Sequence, residues 1–253
     1  MVVKTPSGDI SIKVHVLMTT GNIPALGKIA CHVDHMSKDG CCICHIVGQS
    51  PGHGQYFHKL SSITMHTPES FKHFDEVASS SKKGLTGQSS FFLLDSFSGP
   101  FFFALDEMHG ICHGIGKQVW GLVCGMYGKD HPLSLSLAAQ KEIGTATVSN
   151  RRSILTSFYS AWINIATRSE YFWAVDWADF ILFVIPMLVT ERVHDQAAHK
   201  TLLDLVQTCN LLMSRKLSAE KKTLIKINLI AWNTYLEALL AKEEVQLKIF
   251  TIN

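Results

Sequence analysis

The sequence predicts a two-part fold, α/β over residues 1–150 and all-α over 151–253. Three observations predict it. Residues 10–18 alternate, with Ile10, Ile12, Val14 and Val16 on one side and Ser11, Lys13 and His15 on the other. That period belongs to a half-buried strand. "PFFFALDEM" at 100–108 is an apolar run turning polar, the pattern of a buried strand leading into a helix. From residue 150 onward three long apolar-periodic segments take over, near 153–193, 196–216 and 219–249.

The elements follow in order. "IPALGKIACHV" at 23–33 reads as a short helix, with Asn22 as N-cap and Pro24 in its first turn. Residues 34–66 are rich in Cys, His and Gly and have no period. They form a loop that needs something other than an apolar core to hold it. A helical piece is expected at 67–80, a turn at "GLTGQSS" (84–90) and a helix at "HGIGKQVWGLVCGMYG" (113–128). "FILFVIPMLV" at 180–189 reads as a core helix kinked at Pro186. It has about half the ~20 residues that span a bilayer, so no membrane segment is expected. In the last segment Ser218 is an N-cap, and Leu224, Ile227, Trp232, Leu236, Leu239 and Leu240 form a broad apolar stripe. No internal repeat is visible.

The chain has 253 residues, enough for a sizeable core, with 47% hydrophobic and 17% charged residues. A net charge of +2 does not argue for nucleic acid by itself. A DNA-handling surface would need local basic patches. The runs "SSSKKGL" (79–85) and "NRRS" (150–153) are short and read as solvated loops. The start "MVVKTPSGD" lacks the apolar stretch of a signal peptide. A nuclear or cytoplasmic compartment is expected, not secretion. There the seven cysteines stay reduced, and a cluster of them reads as a metal site.

"DHMSKDGCCICHIVG" at 34–48 carries the strongest local signal. Cys41 and Cys44 form a Cys-x2-Cys pair that can place two thiolates on one tetrahedral ion. His35 before it and His53 after it complete a four-ligand set of the mixed N/S kind that suits structural zinc. Cys42, His45 and His58 compete for the outer places, and a reduced cysteine cluster without metal is the alternative. A redox pair should open a helix directly after a strand, which this one does not.

"ALDEMHGICHGIGK" at 104–117 is the second constellation. On a helix Asp106, His109 and His113 share a face. A metalloprotease motif needs glutamate where Gly110 stands, and a phosphate-binding loop fails at Ile111 and Gln118. A carboxylate–imidazole hydrogen bond between Asp106 and His109 is expected at this junction. In "SEYFWAVDWADF" (169–180), Trp173, Trp177 and Phe180 read as core. Asp176 and Asp179 read as a solvated side or an N-terminal dipole partner.

Taken in order, these pieces resemble the transposases of CACTA-type (En/Spm-like) DNA transposons. The family's Gly-Asp-Ile-Pro-Ala turn corresponds to "GNIPALGK" at 21–28, and its His/Cys loop to "DHMSKDGCCIC" with "HGQYF". Its Asp-x-x-His motif entering a helix corresponds to "LDEMHGICHGIGKQVWGL", and an Asp-Trp…Pro segment to "AVDWADFILFVIPMLV". The likeness covers most of the chain. It implies a partial RNase H-like (DDE-type) core over 1–150, including the Cys/His loop 34–58, and a helical insertion over 151–253. Intact family members cut DNA and transfer strands with two Mg²⁺ or Mn²⁺ ions held by three carboxylates. Here Asn22 stands at an expected metal-binding Asp. The first Asp is expected on a strand before residue 1, and the Glu beyond an insertion still open at Asn253. Asp106 and His109 match the family's Asp-x-x-His. The expectation is a transposase-derived fragment without cleavage activity, whose partners would be transposon-end DNA and possible further copies of itself. The alternative is a non-catalytic, zinc-containing DNA- or protein-binding module of the same origin.

Overall fold

The computed structural model describes residues 2–33, 35–50, 54–58, 63–72, 84–151 and 162–250. They form two compact units, one of Met1–Ser50 and Ser62–Leu105, the other of Pro51–Ser61 and Asp106–Asn253. The division falls after Leu105 rather than near residue 150. The cause is packing: Val119, Trp120, Leu122 and Val123 bury themselves in the helical core and bring the chain from Asp106 onward with them.

In the first unit, β1 (Val2–Thr5) and β2 (Gly8–Ser11) form an antiparallel hairpin in register Val2↔Ser11 to Thr5↔Gly8. The half-buried strand expected at 10–18 is not formed. Only its first two residues lie in β2, and residues 12–18 have no regular structure. Its apolar side faces solvent, with Val14 71% exposed. Among the described residues the sheet has two strands, and no neighbouring strand covers the alternating face.

β3 (Thr19–Gly21) instead pairs in parallel with β4 (Phe103–Leu105), in register Thr19↔Phe103, Thr20↔Ala104 and Gly21↔Leu105. The expected strand at 100–108 thus shrinks to three residues. Gly99 and Pro100 start a 3-10 turn through Phe102, where the φ of Gly99 (+82°) and the proline ring favour a turn over extension. α1 (Ile23–Ile29) follows β3 and is shorter than the sequence suggests. Cys31 takes a left-handed conformation (φ 50°) that stops it. Leu26 and Ala30, four apart, pack into a cluster of phenylalanines: Phe71, Phe92, Phe97, Phe102 and Phe103. Ring centroids there lie as close as 4.9 Å, for Phe92 and Phe97. This cluster holds α1 and β4 in place. α2 (Pro68–Lys72) contributes Phe71. The rest of the helix expected at 67–80 lies outside the described residues.

The second unit is helical. A π-helical segment (Met108–Ile115) runs into α3 (Gly116–Val123). α4 (Leu137–Asn150), α5 (Ile165–Arg168) and α6 (Ala174–Asp179) follow. A second π-helical segment (Phe180–Val189) contains Pro186, which has no N–H to give, in the place of the expected kink. α7 (Gln196–Leu212) and α8 (Ala219–Ala241) pack against each other. The core joins Trp120, Ile143, Trp177, Ile181, Ile185, Leu202, Leu236 and Leu239. Ser218 caps α8 as expected, its hydroxyl accepting from Lys221 N–H. Ile227 departs from the expected stripe and is 57% exposed.

Asp176 and Asp179 are both buried rather than solvated. Asp176 accepts from the Trp173 N–H at 2.8 Å and so caps α6, which bears out its place at a helix N-terminus. Gly116 opens α3 directly against the Trp177 ring. Among the described residues no helix is long and apolar enough to cross a membrane.

Candidate functional site

In the first unit the parallel pair ends at Gly21 and Leu105, and the residues next in sequence are Asn22 and Asp106. Asn22 has extended backbone (φ −69°, ψ 160°), and its Oδ1 accepts from Ala25 N–H at 2.9 Å. Its carbonyl accepts the first helical bond, from Leu26 N–H. Pro24 sits in the first turn, where no donor is lost. Asn22 is therefore a complete N-cap. Its side chain offers a neutral oxygen already engaged with the helix, and no negative charge.

A groove of about 210 Å³ runs beside α1, lined among others by Pro24, Gly27, Lys28, His32, His35 and Cys42. His35 thus faces this groove with Cys42. Cys41 pairs with Cys44 instead, Sγ to Sγ at 3.5 Å. Two thiolates on one tetrahedral zinc, with bonds of about 2.3 Å, would be about 3.8 Å apart. The pair therefore fits two ligand places within a few tenths of an ångström. Among the described residues no group of three or more His, Cys, Asp or Glu side chains is arranged to hold a metal. The structure does not bring His35 onto the cysteine pair, and His53 lies outside the described residues.

The pair is electrostatically uneven. The Cys44 thiol, hydrogen-bonded to Cys41, lowers the Cys41 pKa to about 6 against the opposing effect of burial. Cys44 is raised, first by that same bond and then by burial. Burial, with the Cys41 charge beside it, pushes Cys42 up to about 11. Of the three, Cys41 is the one whose surroundings favour the thiolate, through the bond from Cys44.

The loop also assembles histidines that local spacing does not reveal. Cys44 bridges antiparallel to Met65, with His45 N–H bonded to Thr64 O and His66 N–H to Ile43 O. This puts His45 and His66 on one side, with His45 Nε2 3.0 Å from His66 Nδ1. His66 is buried, its ring centroid 6.0 Å from that of His32 and 5.3 Å from that of Phe71. Of these only His45 figures among the sequence candidates, because the bridge that joins 44 to 65 leaves no periodic trace. Gly84, at φ +90°, closes over His32. A Cβ there would collide with the His32 ring and the Asp39 carbonyl. His58, a third candidate, lies in the second unit against the Phe250 ring.

In the second unit the expected Asp106–His109 pair is formed. His109 Nδ1–H donates to both carboxylate oxygens, at 2.9 and 2.8 Å, and His109 N–H donates to Oδ1 at 2.8 Å. Asp106 thus caps the start of the π-helical segment and fixes the imidazole tautomer together. Burial raises the Asp106 pKa, but the backbone and side-chain bonds from His109 outweigh it, and the net shift is downward. The wide π turn stacks His113 over His109, with centroids 6.4 Å apart and planes at 29°. Burial lowers the His113 pKa, helped by Lys117 and His109. The arrangement can orient an imidazole and hold one carboxylate charged. That is one anionic oxygen donor, where two-metal chemistry uses several.

No protein-family model matches the chain, and neither does any curated protein or solved structure.

Proposed function

We propose that the chain is a transposase-derived protein of the DDE type, related to the CACTA group, that does not cleave DNA. The observation that carries this reading is Asn22. The motif order puts a metal-binding carboxylate at its position, at the turn from β3 into α1. The residue present keeps the cap at 2.9 Å and carries no charge. A two-metal site needs charged oxygens to offset two divalent ions, and an amide in that place leaves the ions underneutralised. Asp106, at the family's Asp-x-x-His, has its carboxylate bonded to His109. The proposed setting is nuclear, with transposon-end DNA as the ancestral partner. A structural zinc would be held by Cys41 and Cys44 with His35 and His53, His35 turning out of the α1 groove to join the pair. The ion would supply the loop with a fixed crosslink where it lacks an apolar core.

Two measurements test the reading. Supercoiled DNA incubated with the chain and Mg²⁺ or Mn²⁺ should remain uncut, for the wild type and for Asn22→Asp alike. Nicking by the wild type above a mock-purified control refutes the loss of activity. Elemental analysis of protein purified without chelator should give close to one zinc per chain, and Cys41→Ser with Cys44→Ser should remove it. Zinc-free wild-type protein refutes the zinc loop.

A further inference from the structure

We propose that the α7–α8 turn is a contact surface for the phosphodiester backbone of duplex nucleic acid. From Met213 to Asn233 the chain carries Arg215, Lys216, Lys221, Lys222 and Lys226 against a single acid, Glu220. Five cations and one anion leave a local surplus of four, whereas the whole chain carries +2. The charge is therefore concentrated here and balanced elsewhere. All five side chains are exposed, and none makes an ion pair or hydrogen bond with the described residues. Elsewhere in the unit two cations are paired, Arg192 with Glu142 and Lys200 with Asp204.

The placement does not serve the helix. Lys221 and Lys222 sit in the first turns of α8, where a positive charge opposes the helix macrodipole. Lys222 and Lys226, four apart, repel each other. A polyanion laid across the turn relieves both penalties. Lys222 and Lys226 share one face about 6 Å apart along the axis, close to two phosphate steps of one duplex strand.

An anionic membrane fits less well. Trp232, Leu236 and Leu239 of α8 are turned into the unit's own core, and Ile225 is buried as well. That leaves Ile227, Leu229 and Ile230 exposed with no exposed aromatic residue on the helix, too little for interfacial insertion. A group of exposed cations with no ion pair among the described residues matches a regularly charged backbone, and backbone contact carries no sequence preference. The inference goes beyond the proposed ancestry and stands without it, because it uses charge alone.

The test is fluorescence anisotropy of the full chain with a labelled mixed-sequence duplex, over a range of salt. The comparison is between Lys221→Glu/Lys222→Glu/Lys226→Glu and a control with the same net charge, Lys4→Glu/Lys13→Glu/Lys141→Glu. The expected result is binding by the wild type at low salt, weakened at least about tenfold in the α8 variant. Its log–log salt slope should be shallower by about three, at ~0.9 per phosphate released. The control should stay near the wild type. A glutamine triple at the same three lysines, checked by circular dichroism, should fall between them and carries the test if the glutamates unfold α8. No binding by the wild type, equal loss in α8 variant and control, or binding to phosphatidylserine vesicles in place of duplex would overturn the proposal. Neither the cleavage assay nor the zinc assay involves these residues, so failure here is distinct from failure of the transposase reading.

Discussion

Replacing Gly116 with alanine sets two effects of opposite sign against each other. The glycine has ordinary right-handed helical backbone (φ −59°, ψ −48°), so alanine fits the chain without strain. Helix propensity alone then predicts a gain of about 1 kcal/mol. The new methyl, however, would stand 2.8 Å from Trp177 Cε3 and 3.2 Å from its Cβ. Favourable carbon contacts lie near 3.5–4.0 Å. Trp177 is 2% exposed and touches Phe172 and Phe180 with its ring, so it has no room to swing away. Overpacking of this kind costs about 1–3 kcal/mol, and a rigid buried ring argues for the upper part of that range. The net expectation is destabilisation by about 1 kcal/mol. All five tryptophans, from Trp120 to Trp232, lie in the second unit, so urea unfolding followed by tryptophan fluorescence reads that unit alone. The midpoint should fall by about 0.5 M, with an m-value near 2 kcal/mol/M. In a Trp177→Phe background the loss should shrink, because the smaller ring vacates the space the methyl needs. A raised midpoint in Gly116→Ala, or an equal loss in both backgrounds, would show that the close approach does not govern this helix.

Asn22→Ala should cost α1 about 1 kcal/mol of cap energy, while Asn22→Asp keeps the cap, seen as faster hydrogen exchange at the Ala25 amide in the first variant only. Alkylation mapped by mass spectrometry should label Cys41 with a half-maximum near pH 6, well before Cys42 at about 11; equal profiles would contradict the shared-proton geometry. Acid should weaken the second unit in two windows. His113 and His131 have lowered pKa values, both through burial first, with Lys117 and His109 adding to it at His113. The Gly128 backbone, Glu244 and Asp130 oppose it at His131. Folding favours their neutral forms, so that contribution is present above about pH 6.5 and lost as the pH falls from there through the folded pKa values. Asp106 is lowered as a carboxylate, so its contribution is present above about pH 3.9 and lost below. His113→Gln with His131→Gln should flatten the decline between pH 7 and pH 5 in urea titrations; an unchanged slope would assign it elsewhere.

The helix starts were legible in the sequence because a cap is a local device. Asn22 with Pro24, and Ser218, need only the next three residues to do their work, and the structure places all of them as read. Asp106 and His109 were legible for the same reason. What depended on distant chain was not. The alternating run at 10–18 has the period of a strand, but a period buries nothing without a layer to face. α4 was missed because it packs through Gln140, Gly144 and Thr147 as well as Ile143, so its buried face carries no apolar rhythm. His66 joins His45 only through a bridge between two irregular segments. Asp176 and Asp179 were read by residue type, and the helix cap that buries Asp176 depends on the backbone of Trp173.

The parallel pairing of β3 with β4 sets how the first unit can fold. Thr19 and Phe103 are 84 positions apart, and closing a loop of that length costs about 4 kcal/mol in chain entropy before any contact is made. Three paired residues cannot offset that, so the strands have to arrive together with the phenylalanines that seat them. The hairpin-like α7–α8 contact, by contrast, joins neighbours in sequence and can form early. Polypeptide emerging from a ribosome would hold β3 without a partner until more than eighty further residues had been made. Throughout that interval the alternating stretch from Ile10 to Met18, whose apolar side is exposed even in the finished fold, stays open to chaperones and to pairing with other chains.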